Sequence, residues 1–224
     1  MSLDMRAQNK KMMRKRLLRI FDSLLAAFGK RNWWPGEHDF EMVVGAVLTQ
    51  STSWKNVEKA IQNLKQNDAL DIRSIYTMEQ DRLAELIRSS GFYNIKANRL
   101  KNIVNVLHDI FDANIANLQD IDTYDMREIF LGISGIGRET ADSIILYALN
   151  KPIFVIDAYT KRFLENHGLY HGRDDYDDVQ RFFMENLPHD TYLFNEFHAL
   201  IVCLGQRFCK RPPVCQGCPL AYEL

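Results

Sequence analysis

The sequence has 224 residues, of which 46% are hydrophobic, and its formal net charge at pH 7 is −1. No apolar stretch approaches the roughly 18 residues that a membrane span needs, so we expect a soluble globular protein with one large core or two smaller ones. The small net charge excludes a strongly basic protein, so any DNA footprint has to be local. Local basic patches are offered by Lys10, Lys11, Arg14, Lys15, Arg16, Arg19, Lys96, Arg99, Arg207, Lys210 and Arg211.

Apolar residues recur at helical spacing along most of the chain, and strand signals are scarce. Amphipathic stripes run from Leu17 to Phe28, from Phe40 to Leu48 and from Val57 to Leu64. Further helices are predicted over roughly 78–87, 95–111, 122–131, 138–149, 158–166, 176–187 and 192–204. The predicted fold class is therefore all-α. Because residues 1–19 lack an apolar core before a small-residue cleavage site, we expect a cytoplasmic protein.

A glycine-rich segment, Ser-Gly-Ile-Gly-Arg-Glu-Thr-Ala, begins at Ser134 and lies between two helical patterns. Its two glycines bracket one isoleucine, so the turn can expose backbone N–H groups at a helix N-terminus, where a phosphate is favoured. The sequence thus predicts a helix, a hairpin and a second helix. A short apolar run then leads through Phe154-Val155-Ile156 to Asp157.

This arrangement resembles the helix-hairpin-helix of DNA repair glycosylases, whose hairpin grips one DNA strand and whose catalytic aspartate follows the second helix. The resemblance implies that Asp157 is that aspartate, although an aspartate here can also serve as the N-cap of a helix starting near Ala158. Two departures are Ser134 in place of proline and Glu139 in place of lysine. The residues that the resemblance assigns to DNA binding are Gln50, Gly135, Ile136, Gly137, Arg138 and Thr140.

All three tryptophans, Trp33, Trp34 and Trp54, fall within one short region that also contains Pro35. Together with the Leu-Thr-Gln end of the following helix and the missing lysine, they make the chain similar to bacterial endonuclease III-like 3-methyladenine DNA glycosylases. The resemblance implies that these four residues line a base pocket. A base alkylated at N3 is cationic, and indole faces favour a cation by about 0.5–2 kcal/mol. The alternative is that the tryptophans pack in the core.

Three cysteines near the C-terminus, Cys209, Cys215 and Cys218, resemble the iron–sulfur loop of the endonuclease III family. That loop has four cysteines, and the fourth would be expected near position 224, where this sequence has leucine. Cys203 lies in an apolar helical segment and is expected to be a core thiol. The sequence leaves open a [4Fe–4S] cluster, a zinc ion or metal-free cysteines.

The family resemblance implies two helical domains with the active-site cleft between them. Residues 39–150 would form an inserted domain, and residues 1–38 with 151–224 a second domain made from both chain ends. We expect a monomeric, monofunctional glycosylase that removes alkylated purines from double-stranded DNA and has no membrane partner. The alternatives are a bifunctional glycosylase and lyase for oxidised pyrimidines and a non-enzymatic helix-hairpin-helix DNA-binding module.

Overall fold

A computed structural model of the protein describes residues 3–31, 33, 38–173 and 175–223, and these residues form helices without a strand. This confirms the predicted all-α class. None of the described helices is long and apolar enough to cross a membrane. The eleven α-helices of the described residues are α1 (Leu3–Phe28), α2 (Asp39–Leu48), α3 (Trp54–Gln66), α4 (Ile72–Thr77), α5 (Gln80–Leu86), α6 (Tyr93–Asp109), α7 (Thr123–Leu131), α8 (Arg138–Ser143), α9 (Ala158–Asn166), α10 (Tyr176–Asn186) and α11 (Thr191–Arg207).

The chain divides into two compact units, each with its own helices. The first unit consists of Met1–Trp33 and Pro152–Leu224 and contains α1 and α9 to α11. The second unit, Trp34–Lys151, contains α2 to α8. The predicted cleft between two domains stays a prediction.

Stacked phenylalanines form the centre of the first unit. The Phe154 ring stacks on Phe183 with 4.0 Å between centroids, and the edge of Phe194 meets it at 5.5 Å. Aromatic pairs of this geometry contribute roughly 0.5–1.5 kcal/mol beyond the burial of their area. Since Phe154 lies three residues before Asp157, this packing fixes the segment that leads into α9.

The helix α6 supplies much of the apolar core of the second unit. Its buried apolar side chains are Ala97, Leu100, Ile103, Val104 and Leu107. A buried lysine precedes this apolar series: Lys96 is only 1% exposed, and its Nζ donates to the carbonyl oxygens of Leu48 at 2.9 Å and Ser90 at 2.6 Å. The Leu48 carbonyl belongs to the last turn of α2, where the carbonyl groups have no hydrogen-bond partner within the helix. The buried ammonium group therefore stabilises the end of α2.

The predicted helix over 138–149 is only partly correct, because α8 ends at Ser143 and a π-helical segment, Ile144–Ala148, follows it. The Leu149 amide donates to the Ile144 carbonyl at 3.1 Å, which is the wider turn of a π-helix. All five residues of this segment are buried. Sequence periodicity alone could not separate this turn from an α-helix, since an all-apolar run has no polar face.

The helix α4 was missed by the sequence analysis. It has six residues, and only Ile72 and Ile75 among them are buried, so it lacks a repeating apolar stripe. Its start is nevertheless encoded locally. Asp71 caps it by accepting hydrogen bonds from the amides of Arg73 at 2.9 Å and Ser74 at 3.0 Å.

A buried ion pair joins α7 to α8. The Arg127 Nε lies 2.8 Å from Asp142 Oδ1, and the Asp142 side chain is 0% exposed. Replacing Arg127 with methionine would leave a buried carboxylate without this cation, and we expect the free energy of unfolding to fall by about 3–5 kcal/mol. Urea unfolding measures the loss.

The control for this variant is Arg82→Met, which removes an exposed arginine that pairs with Glu85 at 3.3 Å. Exposed pairs contribute little, so this change should cost less than about 1 kcal/mol. Equal losses in the two variants would contradict a structural role for the buried pair.

The buried Lys96 gives a pH signature. Burial, and then the charge of Arg99, lower its pKa from the ordinary 10.5 to about 8. Between these two values the unfolded chain binds more protons than the folded chain, so the stability of the fold rises with pH. We expect the unfolding free energy of the wild type, minus that of Lys96→Met, to rise from pH 8 to 10.5.

Urea unfolding at several pH values tests this, with a methionine at the exposed Lys59 as the control. The control difference should stay flat. A flat difference for Lys96→Met would show that the amine has the same proton affinity in both states, and a difference that falls with pH would show that folding raises its pKa; either result contradicts the prediction.

Candidate active site

The hairpin lies between α7 and α8, and its turn depends on one glycine. Gly135 has φ +89°, a backbone conformation that favours glycine, and the Ile136 amide donates to the Ile133 carbonyl at 3.0 Å. Both isoleucines are buried in the second unit and hold the turn in place. The structure thus contains the predicted helix, hairpin and helix.

The residues predicted to bind DNA are not equally placed. Gly135, Gly137 and Arg138 are exposed, whereas Ile136 is 5% exposed and Thr140 is 6% exposed. The Thr140 hydroxyl accepts a hydrogen bond from Gln50 Nε2 at 2.8 Å. Gln50 follows α2, and its Oε1 accepts from the Arg99 guanidinium. The structure therefore brings Gln50 to the hairpin, while DNA binding by these residues stays a prediction.

Asp157 is the N-cap of α9. Its Oδ1 accepts from the Thr160 amide at 2.7 Å, and its Oδ2 lies 3.7 Å from His198 Nε2. The side chain of Asp157 is 14% exposed and that of His198 is 7% exposed. Capping uses one carboxylate oxygen and directs the other toward the imidazole. The cap and a catalytic role are therefore compatible in one residue.

His198 is a site residue that the sequence analysis missed. It lies on α11 among apolar neighbours, and burial lowers its pKa while the charge of Asp157 opposes that shift. The imidazole is thus neutral near pH 7. Its place in the sequence carried no ligand spacing, so only the packing of α11 against α9 could reveal it.

The segment before Asp157 is held by two side chains of α10. The Ile156 amide donates to the Tyr176 hydroxyl at 3.3 Å, and Gln180 Nε2 donates to the Phe154 carbonyl at 2.8 Å. These bonds satisfy backbone groups of a buried, extended segment. They fix the position of the backbone just before Asp157.

The predicted base pocket is described only in part. Trp33 and Trp54 are both half-buried; Trp33 ends the first unit, and Trp54 begins α3 in the second. Trp34 and Pro35 lie outside the described residues. The pocket stays a prediction.

Phe92 is another residue that the sequence analysis did not single out. The residue is 66% exposed, and its φ of +46° is unusual for a bulky residue. Strained backbone of this kind costs about 1–3 kcal/mol and is concentrated at functional sites. An exposed aromatic ring there offers a stacking surface.

The C-terminal cysteines lie around one small cavity, and a cluster bound by them stays a prediction. Cys209, Cys215 and Cys218 line a small cavity of about 10 Å³ together with His167, which is room for about one water molecule. Burial raises the pKa of the Cys209 and Cys218 thiols. No group of three or more His, Cys, Asp or Glu residues in the described part of the chain is placed to hold a metal ion. The predicted fourth position, Leu224, lies outside the described residues.

Salt bridges hold the last described residues. Glu223 is 2% exposed at its side chain, and its carboxylate accepts from Arg16 Nε at 2.6 Å and from Arg19. Burial alone would raise the pKa of Glu223, but the hydrogen bonds from these two arginines outweigh it and lower the pKa. The C-terminal segment is thereby joined to α1.

Residues 44–189 match the model of the HhH-GPD superfamily base excision DNA repair proteins. The protein MJ1434 of Methanocaldococcus jannaschii, which carries a provisional DNA repair glycosylase name, is 45% identical over 205 residues, covering 91% of this chain and 93% of that protein. Endonuclease III of Sulfolobus acidocaldarius is 27% identical over 80% of this chain and 78% of its own length.

Solved structures agree with this family match. The 3-methyladenine DNA glycosylase MagIII of H. pylori, solved bound to 1,N6-ethenoadenine, is 32% identical, covers 88% of this chain and 97% of its own, and has a TM-score of 0.72. A trapped endonuclease III–DNA covalent intermediate shares the fold with a TM-score of 0.79 at 20% identity and 94% coverage of each chain. The chain therefore belongs to the HhH-GPD superfamily of base excision DNA repair proteins, and it is similar to endonuclease III.

Proposed function

We propose that the protein is a monofunctional DNA glycosylase that hydrolyses the N-glycosidic bond of alkylated purines of the 3-methyladenine type. The observation that carries the proposal is the carboxylate of Asp157, held by the cap of α9 with its second oxygen toward His198. Hydrolysis builds positive charge on the sugar, which a carboxylate stabilises directly or by activating the attacking water. A cationic base leaves without being protonated, so one carboxylate suffices.

In this proposal the protein acts as a cytoplasmic monomer on double-stranded DNA. The exposed turn residues Gly135, Gly137 and Arg138 bind the phosphates of one strand through backbone N–H groups and the guanidinium. The damaged nucleotide leaves the base stack at a cost of a few kcal/mol, which is smallest for weakly paired bases. Gln50 fills the gap, and the exposed ring of Phe92 stacks on a neighbouring base.

The choice of alkylated purines is supported by the tryptophans and by one relative. Indole faces at Trp33 and Trp54 favour a cationic ring over neutral adenine. The 32% identical MagIII of H. pylori is named a 3-methyladenine DNA glycosylase. Both lines of support point to the same class of leaving base.

The absence of lyase activity is supported by residue 139. Lyases form a Schiff base between a lysine amine and the sugar, and Glu139 is an exposed carboxylate that cannot form one. Lys96 is the lysine whose pKa is lowered to about 8, but its amine is buried and donates to two carbonyl groups. It is therefore a structural group and a poor nucleophile.

A bifunctional enzyme for oxidised pyrimidines is the second candidate, because the endonuclease III of Sulfolobus acidocaldarius is 27% identical to this chain. A DNA-binding module without activity is the third. The placement of Asp157 beside a buried imidazole argues against the third candidate, since a module that only grips DNA has no use for it.

Asp157→Asn should abolish most of the base release. Asparagine caps a helix about as well as aspartate, so the fold should be kept while the charge is lost. We expect the single-turnover rate of 3-methyladenine release from methylated duplex DNA to fall by about 10²–10⁴-fold. Chromatography of the released base measures the rate.

The matched control is Asp190→Asn, since Asp190 caps α11 in the same way by accepting from the Leu193 amide at 2.7 Å. Its rate should equal that of the wild type. If Asp157→Asn also released the base at the wild-type rate, Asp157 would have no role in the reaction. Release of oxidised pyrimidines instead of alkylated purines by the wild type would favour the second candidate.

Borohydride trapping tests the missing lyase step. Without a Schiff base, we expect no covalent protein–DNA product and no strand scission on methylated or oxidised duplex DNA. A trapped product from the wild type would contradict this. If that product also disappeared in Lys96→Met, the buried lysine would be the nucleophile.

A further inference from the structure

Three segments of the second unit meet at the side chain of Gln50. The amide group of Gln50 lies between Arg99 on α6 and Thr140 on α8: its Oε1 accepts from Arg99 Nη1, and its Nε2 donates to Thr140 Oγ1 at 2.8 Å. Thr140 is 6% exposed and Gln50 is half-buried. The side chain is therefore held on both sides, and part of it stays accessible.

The chemistry of the partners determines which way the amide faces. A guanidinium group has only donors, so only the carbonyl oxygen of Gln50 can face Arg99. The NH2 group must then face Thr140, whose hydroxyl accepts. A hydrogen bond to a charged donor is stronger than a neutral one, so Arg99 makes the larger contribution to this orientation.

The same arginine lies across the hairpin turn. A Cβ added at Gly135 would be 2.5 Å from Arg99 Cγ and 3.1 Å from its Cδ and Nε. Gly135 thus needs to be glycine for two reasons, its φ of +89° and the arginine stem above it. Asn102, one turn further along α6, donates to the Ser134 carbonyl at 3.0 Å. Two side chains of α6 therefore hold the turn.

From these contacts we infer that Arg99 is a positioning residue, which orients the Gln50 amide and joins it to the hairpin turn. The inference rests on the proposed function, in which the hairpin grips the strand and Gln50 fills the gap left by the flipped base. An oriented amide presents a defined hydrogen-bonding edge to the base left without a partner. A freely rotating side chain would have to lose its rotamer freedom first.

The test is a double-mutant cycle between Arg99→Met and Gln50→Ala. Methionine keeps the aliphatic stem over Gly135 but has no donor for Gln50. We expect each single variant to lower the single-turnover rate of 3-methyladenine release by about tenfold or more, the loss of one charge-assisted hydrogen bond. If Arg99 acts through Gln50, the double variant is no slower than Gln50→Ala alone.

Rescue and control variants accompany the cycle. Arg99→Lys restores a donor for the Gln50 carbonyl and should recover part of the rate. Arg73→Met removes an exposed arginine on α4 and should have the rate of the wild type. Thermal unfolding of each variant separates a loss of rate from a loss of fold. Losses that multiply in the double variant would overturn the inference.

A second readout does not depend on base release. The probe is a duplex in which a tetrahydrofuran abasic analogue lies opposite 2-aminopurine. The fluorescence of 2-aminopurine reports how this base, which has no partner, is stacked. Binding of the wild type should change the fluorescence, and Gln50→Ala and Arg99→Met should each lose most of that change at saturating protein. A fluorescence change of wild-type size in Arg99→Met, or no fluorescence change in the wild type, would overturn the inference.

The two proposals fail separately. If the wild type releases no alkylated base but gives the fluorescence change through Gln50 and Arg99, the assigned substrate class is wrong and the positioning role stands. If the base is released and Arg99→Met behaves as the wild type in both assays, the positioning role is wrong and the glycosylase assignment stands.

Discussion

The second unit depends on α6, because three polar side chains of this helix satisfy groups on the segments that carry the expected DNA contacts. Lys96 donates to the end of α2 and to the Ser90 carbonyl, Arg99 holds Gln50 and covers Gly135, and Asn102 donates to the hairpin backbone. Each donor reaches a backbone carbonyl oxygen or a side-chain amide oxygen that has no partner among the regular hydrogen bonds of a helix. The hairpin and the residue expected to enter the DNA are therefore parts of one hydrogen-bonded assembly.

The first unit solves a different problem, which is to hold one carboxylate at a defined place. Stacked aromatic rings and two side chains of α10 fix the extended segment before Asp157, and the cap of α9 fixes the residue itself. The capping bond uses Oδ1 and leaves Oδ2 beside a neutral, buried imidazole. Asp157 therefore has the geometry of a helix cap, and its catalytic role stays a proposal.

The sequence was most informative where local rules decide the structure. The helix over Ala158–Asn166 and the hairpin around Gly135 agree with the structure because a capping aspartate and a glycine pair are local signals. The helix α4 and the π-helical segment were not predicted, since one has too few apolar residues and the other has no polar face. Arg99 and His198 act on partners about 50 and 40 residues away in sequence, and no spacing rule connects such residues.

The π-helical segment Ile144–Ala148 has a consequence for how this family of chains can change length. A wide turn holds one residue more than an α-helical turn of the same height, so the segment is equivalent to a one-residue insertion. In a regular α-helix an added residue would rotate everything beyond it by about 100°. The wide turn takes up that residue, so the apolar side chains of this stretch keep the same face toward the core and all five residues stay buried. Deleting one residue here should therefore restore regular α-helical turns, whereas deleting a second would rotate apolar side chains toward water.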